Sequence, residues 1–510
     1  MSSTIEGPPV GASAPEGGGG LHRRALGTSH LVFFIVAASA PLTAVAGGQA
    51  ATYLVTGNRG IPFLFIPLGI MLALFSVGYA AMSRHITNAG AFYAYVARGL
   101  GRIPAVGTAF VALVAYNAMQ IGIFGLFGVA MGAFASDKLG IDFAWYTWCF
   151  IAMGVIAILG VLRIDLNARV LAVLLILEVL VVALFDLAIL ADPGPQGITA
   201  TGFSPAVATE TALGAALVFC VASFVGFESA AIYGEECRDP RKTVARATFI
   251  AIGLIAAFYA FSSWLLGISV GPDTMVDPEA LVAGGFTDPS GTAPDPTTVL
   301  FIAGGDRLGA FWADSASLLF ATSLFAALLS FHNAIARYFF ALGREGVLPA
   351  AFGRVNGRTG APIVGSLVQT ALAVVIVAIF AIQEQDPILT LFTWLTNLGA
   401  LGVLLLMTLT TWAVVAFFRR KPDRTESTWA TAIAPAIAGI LLVIVFVLGV
   451  LNFNVLITGA TDAPLDDKAV ILPALLAVAA VLGMALAWAL RRGRPQVYER
   501  IGEGGGPAGL

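Results

Sequence analysis

Long runs of apolar residues, interrupted only by Gly, Pro or charged punctuation, dominate this chain, and most are long enough for an α-helix to cross a hydrocarbon core. The pattern predicts twelve such helices. The first five cover 31–55, 61–83, 104–135, 145–161 and 167–191. After a Pro/Gly-rich break, five more cover 208–233, 245–270, 315–343, 363–382 and 388–418, and a final pair covers 428–451 and 470–490. The expected class is an all-α membrane protein organised as 31–191, 208–418 and 428–490.

Composition and charge narrow this picture. With 510 residues, 58% hydrophobic and 11% charged, the chain is too apolar for a water-soluble protein of its size. A net charge of -3 argues against nucleic acid as a partner and leaves the lipid bilayer as the expected surroundings. With twelve spans, 23 of the 27 Lys and Arg residues fall on the side of the N-terminus, and only Arg59, Lys138, Arg307 and Lys468 fall opposite. By the positive-inside rule both termini are expected in the cytoplasm and the chain in the cytoplasmic membrane. Residues 1–30 carry EGPPVGASAPEGGGG and no apolar signal core, so a disordered cytoplasmic tail is expected there, and a second tail at 491–510. Cys149, Cys220 and Cys237 have no CxxC spacing, so no disulfide framework or metal site is expected, and nothing calls for a cofactor. The acidic outer loop 271–314 reads as a lid, a short re-entrant helix at 297–304, or a plain connection.

Within hydrocarbon every backbone N–H and C=O needs an internal partner, so an interrupted helix belongs where it lines a cavity. The first run holds small residues at 37–40, then Pro41, then Gly47 and Gly48 near mid-course. Pro41 removes a helical hydrogen bond and crowds the carbonyl four residues back. The sixth run clusters Ser223, Gly226, Glu228 and Ser229 in its later half. These two runs open successive sets of five helices, and five is odd, so the second set must be inverted relative to the first. Breaks at matched positions of two inverted sets point to the central site of a transporter. Taken singly, either break could serve only close helix packing.

Three stretches resemble the amino acid-polyamine-organocation (APC) transporter superfamily, and within it bacterial amino acid permeases. They are Gly226-Phe-Glu-Ser-Ala-Ala-Ile-Tyr-Gly-Glu-Glu-Cys-Arg-Asp-Pro-Arg-Lys-Thr-Val-Ala-Arg246, Asn333-Ala-Ile-Ala-Arg-Tyr-Phe-Phe-Ala-Leu-Gly-Arg-Glu-Gly-Val-Leu-Pro349 and Asn88-Ala-Gly-Ala-Phe-Tyr-Ala-Tyr95. The resemblance implies a LeuT-type 5+5 inverted repeat with two additional C-terminal helices, working by alternating access. It also implies a substrate carboxylate held by free backbone N–H groups in the first helix, and an ammonium held by carbonyls there and in the sixth. Carried onto this chain, the substrate-binding residues are Ala38, Ser39, Ala40, Leu42 and Thr43, then Phe224, Val225, Gly226, Phe227 and Glu228. The chain departs from the family in two places. Ala38-Ser39-Ala40-Pro41 replaces the usual Gly-rich signature, and Glu178 stands where several proton-coupled relatives have a Lys.

Glu178 lies eleven residues into the fifth run, about 17 Å along at 1.5 Å per residue and so near the midplane. A carboxylate there needs a proton or a partner. It reads as a proton-coupling group or a counter-charge, against the plainer alternative of a neutral Glu bonded to a neighbouring helix. Glu228, beside the second break, is a candidate to bind a substrate cation, a proton or the freed backbone N–H groups; the two carboxylates lean slightly toward a cationic substrate, and a neutral amino acid with a protonated Glu fits equally well. Asp186 reads as a vestibule or interface residue. Phe219, Phe224, Phe227 and Trp394 are candidate gates, and Asn117, Gln120, Ser330, Asn333, Thr396 and Asn397 are expected to face the bundle interior. His332 reads more simply as a bonded buried His than as a proton relay. Arg337 and Arg344 are expected to meet Glu235, Glu236, Asp239 or Glu345 at an inner gate.

No HExxH or Walker pattern occurs, and the GxSxG match at 267–271 lies at an outer helix end, so a membrane-embedded enzyme is disfavoured. The expected function is secondary transport of amino acids or related amines, a small-molecule substrate, driven by protons. The alternative is an amino acid or amine exchanger without proton coupling.

Overall fold

Proline and its neighbours decide where the first helix stops. In the computed structural model, which describes residues 27–86, 92–161, 164–228, 240–288, 291–421 and 425–504, the first apolar run is not continuous. It forms a helix at Thr28–Ser39, a wider-wound turn at Thr43–Gln49 and a helix at Ala50–Thr56. Between the first two, Ala40 takes a left-handed conformation with φ of 45°. The ring of Pro41 disfavours helical backbone at the residue before it, which accounts for the interruption falling on Ala40. Pro41 then fits the restart, where a missing N–H costs nothing.

The sixth run is interrupted as well. Helix is present at Leu213–Phe224, and the chain then turns through Val225, extended at φ -60° and ψ 129°, and Gly226 at φ 118°. That φ is open to Gly and strained for any residue with a Cβ. Within the described part of the run predicted at 208–233, helix ends at Phe224, and residues 229–239 lie outside the described ones.

Nine helices among the described residues are long and apolar enough to cross a bilayer: Ile61–Ser83, Arg102–Leu139, Ala172–Ala191, Thr243–Val270, Ala310–Arg344, Ile363–Ile382, Pro387–Arg419, Trp429–Leu451 and Asp467–Gly493. Trp145–Gly160 and Leu213–Phe224 are apolar but shorter. Burial sorts these helices from centre to rim. The most apolar stretch of Arg102–Leu139 is 83% buried and that of Asp467–Gly493 only 22%, so the former is the central post and the latter faces outward. Exposed Ile158, Ile176, Leu187, Val470 and Val481 continue that outward apolar belt.

At the end of the bundle where Arg59 lies, residues 271–288 and 291–309 are more than a connection. The helix Val299–Leu308 buries Val299 and Leu300 completely, and the turn Pro296–Thr298 packs on Thr43–Gln49 and Ala50–Thr56. Beside it Arg59 bridges Asp273 at 2.5 Å and Glu210 at 3.4 Å, joining the ends of the first, sixth and seventh runs. At the other end, the buried carboxylate of Glu345 accepts hydrogen bonds from the Tyr93 hydroxyl and from the N–H groups of Gly502 at 2.9 Å and Gly504 at 3.0 Å. The C-terminal segment is thereby fastened to the helix Phe92–Gly99.

Candidate functional site

A helix that restarts in mid-membrane exposes backbone N–H groups with no partner in the preceding turn. Here two neighbouring helices supply them. The Leu42 N–H meets the carboxylate of Glu178, which is 2% exposed on the helix Ile164–Ala191. The Thr43 N–H reaches Ser323 Oγ of the helix Ala310–Arg344 at 3.3 Å. Ser323 donates its own proton to Glu178 Oε2 at 2.7 Å, so the Thr43 hydroxyl is the donor in its 2.9 Å contact with Ser323. Glu178 is thus a cap on the restarted helix, and it links the first, fifth and eighth runs.

The second break is closed in the same way. Glu228 folds back so that its Oε2 accepts the Gly226 N–H at 2.9 Å, and Oε1 accepts the Tyr116 hydroxyl at 2.6 Å. Tyr79 donates to the Glu228 carbonyl at 3.3 Å. At 1% exposure, this carboxylate lies behind the break, among tyrosines. The Val225 and Phe227 N–H groups bond to the carbonyls of Ala222 and Phe224.

Between the two breaks lies a cavity of about 50 Å³, measured as the space open to the centre of a water molecule. Ser39, Ala40, Thr43, Ala44 and Gly48 line it from the first run, and Phe219, Ala222, Ser223 and Val225 from the sixth. Met119, Ile123, Ala327, Phe331, Phe392 and Thr396 complete the wall. At about 10–15 Å³ for each water, the space holds about three to five.

Of the residues expected to bind substrate, Ser39, Ala40, Thr43 and Val225 stand on the cavity wall. Leu42, Phe224, Gly226, Phe227 and Glu228 do not: they shape the breaks from behind. Ala38 lies in the last turn of the first helix, and its side chain is not among those described. The free N–H groups implied for the first helix are not present at Leu42 and Thr43, because Glu178 and Ser323 already accept from them. Among the candidate gates only Phe219 lines the cavity; Trp394 instead faces Phe380 and the Lys468 ammonium.

Other expected contacts are resolved more simply. His332 bonds to Ser366 Oγ at 2.7 Å, the plain buried-His arrangement. Asp186 is 3% exposed and accepts from Ser262 at 2.7 Å. Glu345 serves the C-terminal segment, while Glu235, Glu236 and Asp239 lie outside the described residues. Met119, Ile123, Phe331 and Phe392 were invisible as wall residues in the sequence, where they read as ordinary apolar positions. The neighbours of Met119 offered a signal, since Asn117 and Gln120 mark an inward face.

The family described as amino acid permease matches residues 26–479, and the chain belongs to that family. The branched-chain amino acid permease BcaP of Bacillus subtilis is 22% identical over 72% of this chain and 76% of its own length. The low-affinity putrescine importer PlaP of Escherichia coli K12 is 28% identical over 36% of each chain. In fold, the manganese transporter of Eremococcus coleocola aligns over 93% of this chain and 94% of its own with a TM-score of 0.52 and 15% identity. The chain is a multi-pass membrane protein and a transporter, not an enzyme.

Proposed function

We propose that this amino acid permease family member is an alternating-access carrier that moves amino acids or related amines across the cytoplasmic membrane, driven by protons. The proposal includes a LeuT-type arrangement of 31–191 and 208–418 as inverted five-helix sets, two further helices at 428–490, and both termini in the cytoplasm. One observation carries it: the breaks at Ala40 and Val225 border a single cavity lined from both runs. The resemblance to a branched-chain amino acid permease and a putrescine importer supports an amino acid or amine as the cargo.

Glu178 is the proposed proton-coupling group. As an anion it accepts from Ser323 and from the Leu42 N–H, tying the restarted first helix to the fifth and eighth runs. A hydrogen bond to a charged group contributes about 1.5–3 kcal/mol, so taking up a proton weakens a tie that any rocking of these helices must release. Glu228 holds the other break through Tyr116 and is the second candidate in the same role.

The test is uptake by the full chain in proteoliposomes. An inward proton gradient should drive accumulation of at least one labelled amino acid or amine, and Glu178→Gln should abolish that accumulation while sparing exchange. Gradient-driven accumulation undiminished in Glu178→Gln removes the coupling role, and wild-type exchange indifferent to the gradient favours the uncoupled exchanger. Absence of transport across a full panel refutes the carrier reading.

A further inference from the structure

Among the described residues, the charge arrangement around the cavity is one-sided. Two half-helices, Thr28–Ser39 and Leu213–Phe224, both end at it with their C-termini, the ends that carry partial negative charge. The restarted first helix offers the opposite polarity, yet its Leu42 and Thr43 N–H groups are occupied by Glu178 and Ser323. At the second break the N–H groups of Val225, Gly226 and Phe227 are likewise bonded to Ala222, Glu228 and Phe224. Among the described residues, then, the breaks offer no free N–H at these positions and the cavity wall holds no cationic side chain.

A ligand carboxylate placed here would be desolvated without a counter-charge, which is costly. An ammonium would not be. It would meet two negative helix ends, the rings of Phe219, Phe331 and Phe392, whose faces attract cations, and the Ser223 hydroxyl. Ser223 is 8% exposed, lines the cavity and has no hydrogen-bond partner among the described residues. The Ser39 and Thr43 hydroxyls are already engaged, with Val36 and Ser323, while Thr396 Oγ1 on the cavity wall is, like Ser223, without a partner among the described residues and is a second acceptor for the ammonium. Room for about three to five waters suits a ligand of about as many non-hydrogen atoms, smaller than most amino acids.

We propose that the cargo of this cavity is a small primary amine lacking an α-carboxylate, held by its ammonium. This narrows the carrier reading above and rests on it. Ser223 is the side chain assigned to the ammonium.

The experiment measures ligand binding to the detergent-purified full chain by thermal-shift titration, using pairs that differ by one carboxylate: ethylamine and alanine, isobutylamine and valine, putrescine and ornithine. Binding avoids the passive leak of free amines through liposomes. The expected result is at least tenfold tighter binding of the decarboxylated member in one or more pairs, reduced severalfold by Ser223→Ala. Equal or tighter binding of the amino acid in every pair that binds overturns the proposal and leaves the broader carrier reading standing. Binding by no member of any pair overturns the proposal, and the carrier reading is then decided by the uptake panel. If Ser223→Ala leaves the amine preference and affinity untouched, the assignment of Ser223 falls.

Discussion

A methyl group added at Gly48 tests the cavity directly. The nearest atom such a Cβ would meet is Ser223 Oγ at 4.0 Å, so the methyl enters open space between the two breaks. The cavity is about 50 Å³, and a methyl removes about one water's share of the three to five that fit. Shortening a binding pocket by about one methylene typically discriminates about 10–200-fold. In the helix itself Ala is better than Gly by about 0.5–1 kcal/mol. Gly48→Ala should therefore raise the melting temperature of the ligand-free protein while weakening the binding of its cargo at least tenfold in a thermal-shift titration. Gly47, one residue earlier, is the control. A Cβ there would lie 2.6 Å from Leu126 Cδ2, so Gly47→Ala should overpack the interior, cost about 1–3 kcal/mol and leave affinity nearly unchanged. If Gly48→Ala binds as tightly as the wild type, or Gly47→Ala loses affinity while keeping its stability, the substrate does not sit between the breaks.

Further outcomes follow from the contacts around the site. Arg59→Ala removes the outer clamp to Asp273 and Glu210; these groups are 35%, 62% and 53% exposed, so the effect is small, about 0.2–1 kcal/mol or 1.4- to 5-fold faster thiol labelling of Ala44→Cys from outside, and an unchanged rate argues against a gate there. Arg59 holds the Asp273 carboxyl below the usual carboxylate range, so the clamp is fully formed above about pH 4 and is lost only as pH falls through that lowered value; the labelling rate normalised to a free thiol at the same pH should be flat from pH 7 to 5. Tyr116→Phe deletes a hydrogen bond to the buried Glu228 carboxylate and should lower thermal stability by about 1.5–3 kcal/mol, and a neutral result would mean Glu228 has another partner. Deleting residues 501–510 leaves Glu345 without the Gly502 and Gly504 donors and should lower the melting temperature; if it does not, the docked C-terminal segment contributes nothing to the inner end.

Much of the helical layout was legible because it depends on local pattern. Apolar runs and their punctuation placed most boundaries within a few residues, as at 363–382, and the first interruption was readable because the pre-proline restriction is a property of two adjacent residues. The sixth run was harder. Its apolar composition continues past Phe224, and only the Gly226 conformation and the Glu228 side chain reveal that helix stops there. The wall of the cavity was largely hidden, since Met119, Ile123, Phe331 and Phe392 reach it only through the packing of helices far apart in sequence.

The two glutamates show why a buried acid in an apolar run is ambiguous until its neighbours are known. A mid-membrane break leaves N–H groups that cannot remain unpaired in a low-dielectric interior, and a carboxylate is the strongest acceptor a side chain can offer. Glu178 meets that need from another helix and Glu228 from two residues away, so each buried carboxyl group is accommodated by a break and each break by a carboxyl oxygen that pairs its N–H. Such a residue stands beside the cavity without lining it. In the proposed carrier the helix end and the acid would change together: a proton taken up by Glu178 would weaken its tie to Ser323 and with it the hold of the first run on the fifth and eighth.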